Sequence, residues 1–349
     1  MKKIAAVIVT YNRKELLCEC IEAVLAQKPF PAQKPVPAPE PVLTRKPLPA
    51  GKGIVPDILI IDNHSTDGTK EAVLARKKIA TDIPITDDHS TDGTKEAVAA
   101  CKSGNDRILY FDTGSNLGGA GGFQYGIRKG VELGYDYLWL MDDDCIPKPG
   151  ALAALLKHEP RHPYGFLTSK VLWRDGSVCK MNVQRAKLTV NVSDFSKGQV
   201  QPVVMASFVS LFLRTDVVRE LGLPIREFFI WTDDWEFTRR ISRKYPCYLV
   251  TDSVVVHKSK LNIKADISSD TPDRLDRFYY LYRNDVFLYR REGLRGFLYE
   301  CGRLSIHCVR VVTKSKDHKL KRLGKIFQGT AAGFRFHPEI EYVDAADTE

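Results

Sequence analysis

Four short apolar runs, Ile4–Thr10, Ile58–Ile61, Arg107–Phe111 and Tyr137–Met141, each end in a cluster of polar residues. Between them apolar residues recur at helical spacing, as in Leu17, Cys20, Ile21, Val24 and Leu25. Continuous apolar runs suit strands covered on both faces, and strands alternating with helices build a mostly parallel central sheet flanked by helices. The spacing therefore predicts an α/β fold. In such a sheet ligands bind beyond the carboxyl ends of the strands. Thr10-Tyr11-Asn12-Arg13, Asp62-Asn63, Asn116-Leu117-Gly118-Gly119 and Asp142-Asp143-Asp144 all fall there, so they should face one crevice.

Two interruptions break the alternation. Lys28–Gly53 holds eight of the 19 prolines, which excludes a helix or a central strand and predicts an extended surface insertion. Then Asn63–Val73, NHSTDGTKEAV, is repeated almost letter for letter at Asp88–Val98, 25 residues later. Only the first copy follows an apolar strand, so it should keep the strand-end position, with the second copy a surface helix. Under the opposite assignment Asp87-Asp88 would replace Asp62-Asn63. Further on, Val203–Leu213 is apolar, and Tyr248–Thr251 with Val254–Val256 reads as strand. From Asp273 the chain is helical and rich in aromatics and Arg/Lys. The expected organisation is an α/β domain over 1–262, a helical region over 263–343 and a disordered tail at 344–349.

At 349 residues and 44% hydrophobic, the chain suits one α/β domain with additions. Its net charge of +9 points to anionic partners: nucleic acid, anionic lipid or phosphorylated substrates. The eight cysteines form no CxxC pair, which argues against a zinc ribbon or a redox site and for reduced thiols in a cytosol. Ile4–Thr10 reads as a strand rather than a signal peptide, and no apolar run is long enough for a membrane span.

The three aspartates carry the sharpest chemical signal. Like charges crowded at a buried strand end need a counter-charge, and a hard divalent cation prefers oxygen ligands. Side chains alternate in extended chain, so Asp142 and Asp144 should point together and Asp143 elsewhere. A solvated acidic turn is the plainer alternative. The glycines of Gly118-Gly119-Ala120-Gly121-Gly122 do not fit G-x-G-x-x-G and indicate only close backbone approach. In Trp231-Thr232-Asp233-Asp234-Trp235-Glu236, Asp233 and Glu236 match a capping box. Asp234 is then spare for general-base work, held ionised by the helix N-terminus. Trp231 and Trp235 read equally as core or as a sugar platform. His257, after Val254–Val256, reads as a satisfied histidine or a ligand. Asn12 with Glu15 suggests a cap on the first helix.

In order along the chain, "VIVTYNR", "IIDNHSTDGT", "NLGGAGGF", "WLMDDDCIP", "IWTDDWEF" and "VVVH" together resemble the family 2 glycosyltransferases of GT-A, Rossmann-like fold. "NLGGAGGF", "WTDDWEF" and "YYLYRN" are most similar to the galactofuranosyltransferase and rhamnosyltransferase branch. The resemblance implies an inverting, metal-dependent transfer of galactofuranose from UDP-galactofuranose to a cell-surface, lipid-linked glycan acceptor. The alternatives are dTDP-rhamnose as donor or, outside enzymes, a nucleic-acid-binding or membrane-surface protein. It implies Thr10, Tyr11, Arg13, Asp62, Asn63, Asn116, Asp142 and Asp143 around the nucleotide sugar. Asp142, Asp144 and His257 would bind Mn²⁺ or Mg²⁺, Asp234 with Asp233 would be catalytic, and Trp231 and Trp235 would flank the acceptor. No nucleic-acid partner is expected. The enzyme would work in the cytoplasm, with peripheral contact of its basic C-terminal helices to the inner face of the membrane.

Overall fold

The computed structural model describes residues 3–27, 55–80, 107–157 and 164–343. The proline-rich 28–53 insertion, the second repeat copy and the 344–349 tail lie outside the described residues.

β1 (Ile4–Thr10), α1 (Lys14–Leu25), β2 (Asp57–Asp62), α2 (Thr69–Ala80), β3 (Ile108–Asp112), α3 (Gly118–Glu132) and β4 (Tyr137–Asp142) follow in strict alternation. Next come β5 (Cys145–Pro147), α4 (Ala151–Lys157), β6 (Phe166–Trp173), β7 (Arg185–Lys187), β8 (Val190–Asn191), β9 (Val200–Pro202) and β10 (Leu211–Arg214). α5 (Thr215–Leu221), α6 (Asp233–Ser242), β11 (Tyr248–His257), α7 (Arg277–Arg290), α8 (Gly293–Lys314) and α9 (Lys319–Arg335) complete the chain. The main sheet runs β3-β2-β1-β4-β10-β6-β11-β5, with β9 also on β11. β3, β2, β1 and β4 are mutually parallel. β10 enters antiparallel between β4 and β6, and β11 runs parallel to β6. Of the apolar stretch Val203–Leu213 only its end is strand, because the rest is buried loop.

Strand alternation divides the core cleanly. Ile4, Ala6 and Ile8 of β1 face α1 and α4, whereas Ala5, Val7 and Val9 face α3. The glycines of α3 explain how closely that helix lies on the sheet. A Cβ at Gly122, Gly126 or Gly130 would come within 2.6 Å of Val9, 2.6 Å of Val7 or 2.5 Å of Leu138. Spaced four apart, they form one stripe that admits strand side chains. Gly126→Val should therefore lower stability by about 1–3 kcal/mol, as overpacking does. An unchanged urea midpoint would count against this packing.

α7 bridges the two halves of the chain. Phe287 packs edge-on against Phe228, and α9 lies along α7. The segment after α9 returns to the α/β layer, where Leu223 N–H donates to the Glu341 carbonyl and Arg128 pairs with Glu341.

Candidate active site

The parallel register sets the site. Thr10 stands opposite Asp62, Val9 opposite Asp142, and Asp62 opposite Asp112, so the four strands end level. The first repeat copy is wired into this edge. Asp62 accepts from Ser65 N–H and the Tyr110 hydroxyl, and Asn63 donates to the Gly118 carbonyl. Asn12 accepts from Thr66 N–H instead of capping α1, and Asp67 takes the Lys14 N–H in its place. Tyr11 and Asn116 are exposed at the rim, and Asn116 accepts from Gly118 N–H.

Arg13 answers part of the charge problem. Its guanidinium lies 3.1 Å from Asp143 and 2.9 Å from Asp144, and the Thr10 hydroxyl donates to Asp143 at 2.8 Å. Asp142 and Asp144 meet His257 instead: one ligand atom from each lies within 4.8 Å of the others. Here β11 pairs with β5, which places His257 beside Cys145, directly after the aspartates.

The electrostatics are those of an acidic pocket short of positive charge. Burial, with Asp144 nearby, pushes Asp142 up to about 6. Burial also pushes Asp143 up to about 7, against the pull of Arg13. Asp144 is buried too, but its pairing with His257 and Arg13 prevails and holds it below the usual range. Burial disfavours charge on His257, yet Asp144 outweighs it and raises the imidazole to about 10. A proton on His257 thus supplies positive charge that a cation can replace.

The donor set fits a divalent metal. Asp144 Oδ1 is buried without a well-aligned hydrogen bond, and His257 Nε2 stands 3.0 Å from it. On the far side, His257 Nδ1 lies 2.7 Å from Asn182 Oδ1, while the Asn182 amide group donates to Ser207. That network makes Asn182 Oδ1 an acceptor, so Nδ1 carries a proton and Nε2 is turned to the carboxylates. This is the usual outer support of a metal-binding histidine.

A second carboxylate pair stands at the start of α6. Asp233 interacts electrostatically with Asp142, and Asp234 with both. Asp233 is not a cap: Thr232 occupies that position, its hydroxyl goes to Asp285, and Glu236 pairs with Arg240. Burial raises Asp233 to about 7, and burial beside Asp233 raises Asp234 well above the usual carboxylate range. The helix N-terminus expected to keep Asp234 ionised contributes only roughly 0.3–1 kcal/mol and is opposed by burial and by Asp233, which raise the carboxyl.

The loop before these aspartates is backbone-strained. Phe229, Trp231 and Thr232 all have positive φ, at 63°, 66° and 68°. Asn284 of α7 holds it by donating to the carbonyls of Phe228, Ile230 and Trp231 at 3.0, 3.1 and 2.9 Å. Asp285 accepts from Thr232 at 2.6 Å and pairs with Arg303 of α8. From the other side Ala120 N–H donates to the Phe229 carbonyl, and a Cβ on Gly118 would meet that oxygen at 2.2 Å. Trp231 packs on Phe278, and Arg185 covers Trp235 at 4.6 Å, so each indole already has a protein partner. Asn182 and Asp285 carry no distinguishing signal in the sequence, and Asn284 shows only as the last residue of the YYLYRN motif, with no role attached to it.

The family model described as glycosyl transferase family 2 matches residues 71–197. The chain is 24% identical over 310 residues to the galactofuranosyltransferase GlfT1 of Mycolicibacterium smegmatis, covering 84% of this chain and 85% of that protein. It is 24% identical over 201 residues to GlfT1 of Mycobacterium tuberculosis, covering 54% of this chain and 66% of that one. Among solved structures, GalNAc-T7 with UDP, GalNAc and Mn²⁺ has a TM-score of 0.51 at 14% identity, covering 84% of this chain and 52% of that chain. That likeness supports the GT-A fold.

Proposed function

Since the chain carries a family 2 glycosyltransferase domain and is a galactofuranosyltransferase-like glycosyltransferase, we propose that it transfers galactofuranose from UDP-galactofuranose to a lipid-linked glycan acceptor, with inversion, in the cytoplasm at the membrane's inner face. The observation that carries this is the convergence of Asp142, Asp144 and His257 beside the Asp233–Asp234 pair. Asp142, Asp144 and His257 would hold Mn²⁺ or Mg²⁺. When bound, that ion supplies Lewis-acid stabilisation of the diphosphate leaving group.

The remaining chemistry belongs to the chain. Arg13, half-exposed above Asp143 and Asp144, presents guanidinium donors toward an incoming diphosphate. Thr10, Tyr11, Asp62, Asn63 and Asn116 line the nucleotide side, and Asp143 holds Arg13 and Thr10 in register. Trp231 and Trp235 flank the acceptor. Asp234 takes the proton from the acceptor hydroxyl as its oxygen bonds to the anomeric carbon. The bond from that carbon to the phosphate oxygen breaks with its electron pair leaving on UDP. Asp233 sets the charge around Asp234.

Assay of the purified protein with UDP-galactofuranose and with dTDP-rhamnose tests the donor: turnover of dTDP-rhamnose alone would reverse the assignment. Asn182→Ala should weaken Mn²⁺ binding by about 10–100-fold, the usual cost of losing a ligand's outer partner. Calorimetry should also show Mn²⁺ affinity rising with pH, because the ion displaces the His257 proton. Unchanged affinity in Asn182→Ala would remove His257 from the ligand set.

A further inference from the structure

Helix α8 carries apolar residues on two faces: Leu304, Cys308 and Val311 pack inward, and a second apolar set points out. A surface helix ordinarily buries its apolar stripe and exposes its charges. Here Glu300 and Arg303 are directed inward, paired with each other and, through Arg303, with Asp285. Leu294, Leu298, Val309 and Val312 face outward, with Leu294 72% and Leu298 60% exposed. With Cys301 and Ser305 they follow steps of four and three, which makes one continuous stripe. α9 repeats the pattern with Leu320, Phe327 and Phe334, seven residues apart, and Leu320 is 86% exposed.

Charge identifies the occupant. Where α8 passes into α9, residues 310–325 hold seven Lys or Arg and a single acid, Asp317. Asp317 is already taken by the buried Arg322, Arg310 pairs with Asp266, and Lys321 and Lys325 reach Asp276, which leaves Lys314, Lys316 and Lys319 without an acidic partner among the described residues. Lys314, Lys316 and Lys319 are exposed around the turn. A second copy of the chain could cover the apolar stripes, but it would bring two such basic clusters together. An anionic bilayer satisfies both: its acyl boundary takes the stripes and its headgroups take the lysines. Among the described residues no helix is long and apolar enough to cross a membrane.

We propose that the outward faces of α8 and α9 dock flat on an anionic phospholipid surface. This rests on and deepens the reading that the enzyme works at the membrane's inner face, by naming the docking surface and the lipid charge it needs, and its test requires no sugar transfer. The test is flotation of the full chain, without substrate, on phosphatidylcholine vesicles with and without 30% phosphatidylglycerol. Binding should appear on the anionic vesicles and weaken with salt. Lys314→Gln/Lys316→Gln/Lys319→Gln should lower partitioning roughly 100-fold, at about five-fold per charge. Leu298→Glu/Val309→Glu should abolish it, with the milder Leu298→Ser/Val309→Ser and circular dichroism separating lost docking from lost folding. Equal flotation of wild type and folded variants, or no flotation at all, would overturn the proposal. So would sedimentation of a dimer that the same substitutions dissociate, which would assign the face to a second copy.

Discussion

Asp234→Asn is expected to lower kcat by about 10²–10⁴-fold, the usual contribution of a positioned base. The change keeps the shape of the side chain and removes only its capacity to take a proton, so Mn²⁺ and UDP should still bind. The pH dependence gives a second readout. Asp234 must be ionised to act, and burial beside Asp233 raises it well above the usual carboxylate range. A raised base loses its active form earlier as pH falls. The acid limb of kcat/KM should therefore lie clearly above about 4, where an ordinary carboxylate titrates. Asp233→Asn, which removes the neighbouring charge, should move that limb to lower pH. A full-rate Asp234→Asn variant would place the base elsewhere, and a wild-type limb near 4 would show that Asp234 is not raised.

Asn284→Ala is expected to cost about 100-fold in kcat with little change in donor KM. Asn284 touches no reacting atom; it positions the Phe228–Thr232 loop through three carbonyls. Loss of Asn284 takes a donor from the part-buried Ile230 and Trp231 carbonyls, whereas the Phe228 carbonyl keeps the Ile230 N–H, so the loop is released at its Ile230–Trp231 end. Three left-handed residues, Phe229, Trp231 and Thr232, would relax once released. A displacement of about 1 Å at a reacting group is enough for a 10²-fold loss. Asp285→Asn, which keeps the shape but weakens the grip on Thr232 and Arg303, should fall between wild type and Asn284→Ala. Stopped-flow measurement of donor binding beside steady-state kinetics separates loop misplacement from a damaged donor pocket. Equal losses in both would reduce Asn284 to a structural role.

Much of this site could be read in one dimension. β1, β2, β3 and β4 are continuous apolar runs because parallel strands are covered on both sides, and their ends carry Thr10, Asp62 and Asp142 by construction. His257 was harder, since its partner Asp144 lies far away in sequence and only the β5–β11 pairing unites them. Local rules failed where distant groups compete for the same atom. Asn12 and Asp233 both fit a capping pattern, but Thr66 engages the first, and the Thr232–Asp285 bond shifts the helix start away from the second. The antiparallel entry of β10 left no trace either, because its four residues are buried on every side and carry no alternation. The glycine run of α3 was legible only as closeness; what it approaches is the β1, β2 and β4 side chains and the Phe229 carbonyl.

The three carbonyl grips of Asn284 bear on any attempt to build hybrid enzymes from this scaffold. A fragment ending before Arg277 would keep the aspartates and the histidine yet leave the Phe228–Thr232 loop without its anchor. Exchange of acceptor-side segments between relatives must therefore move the loop and α7 together, as a matched cassette.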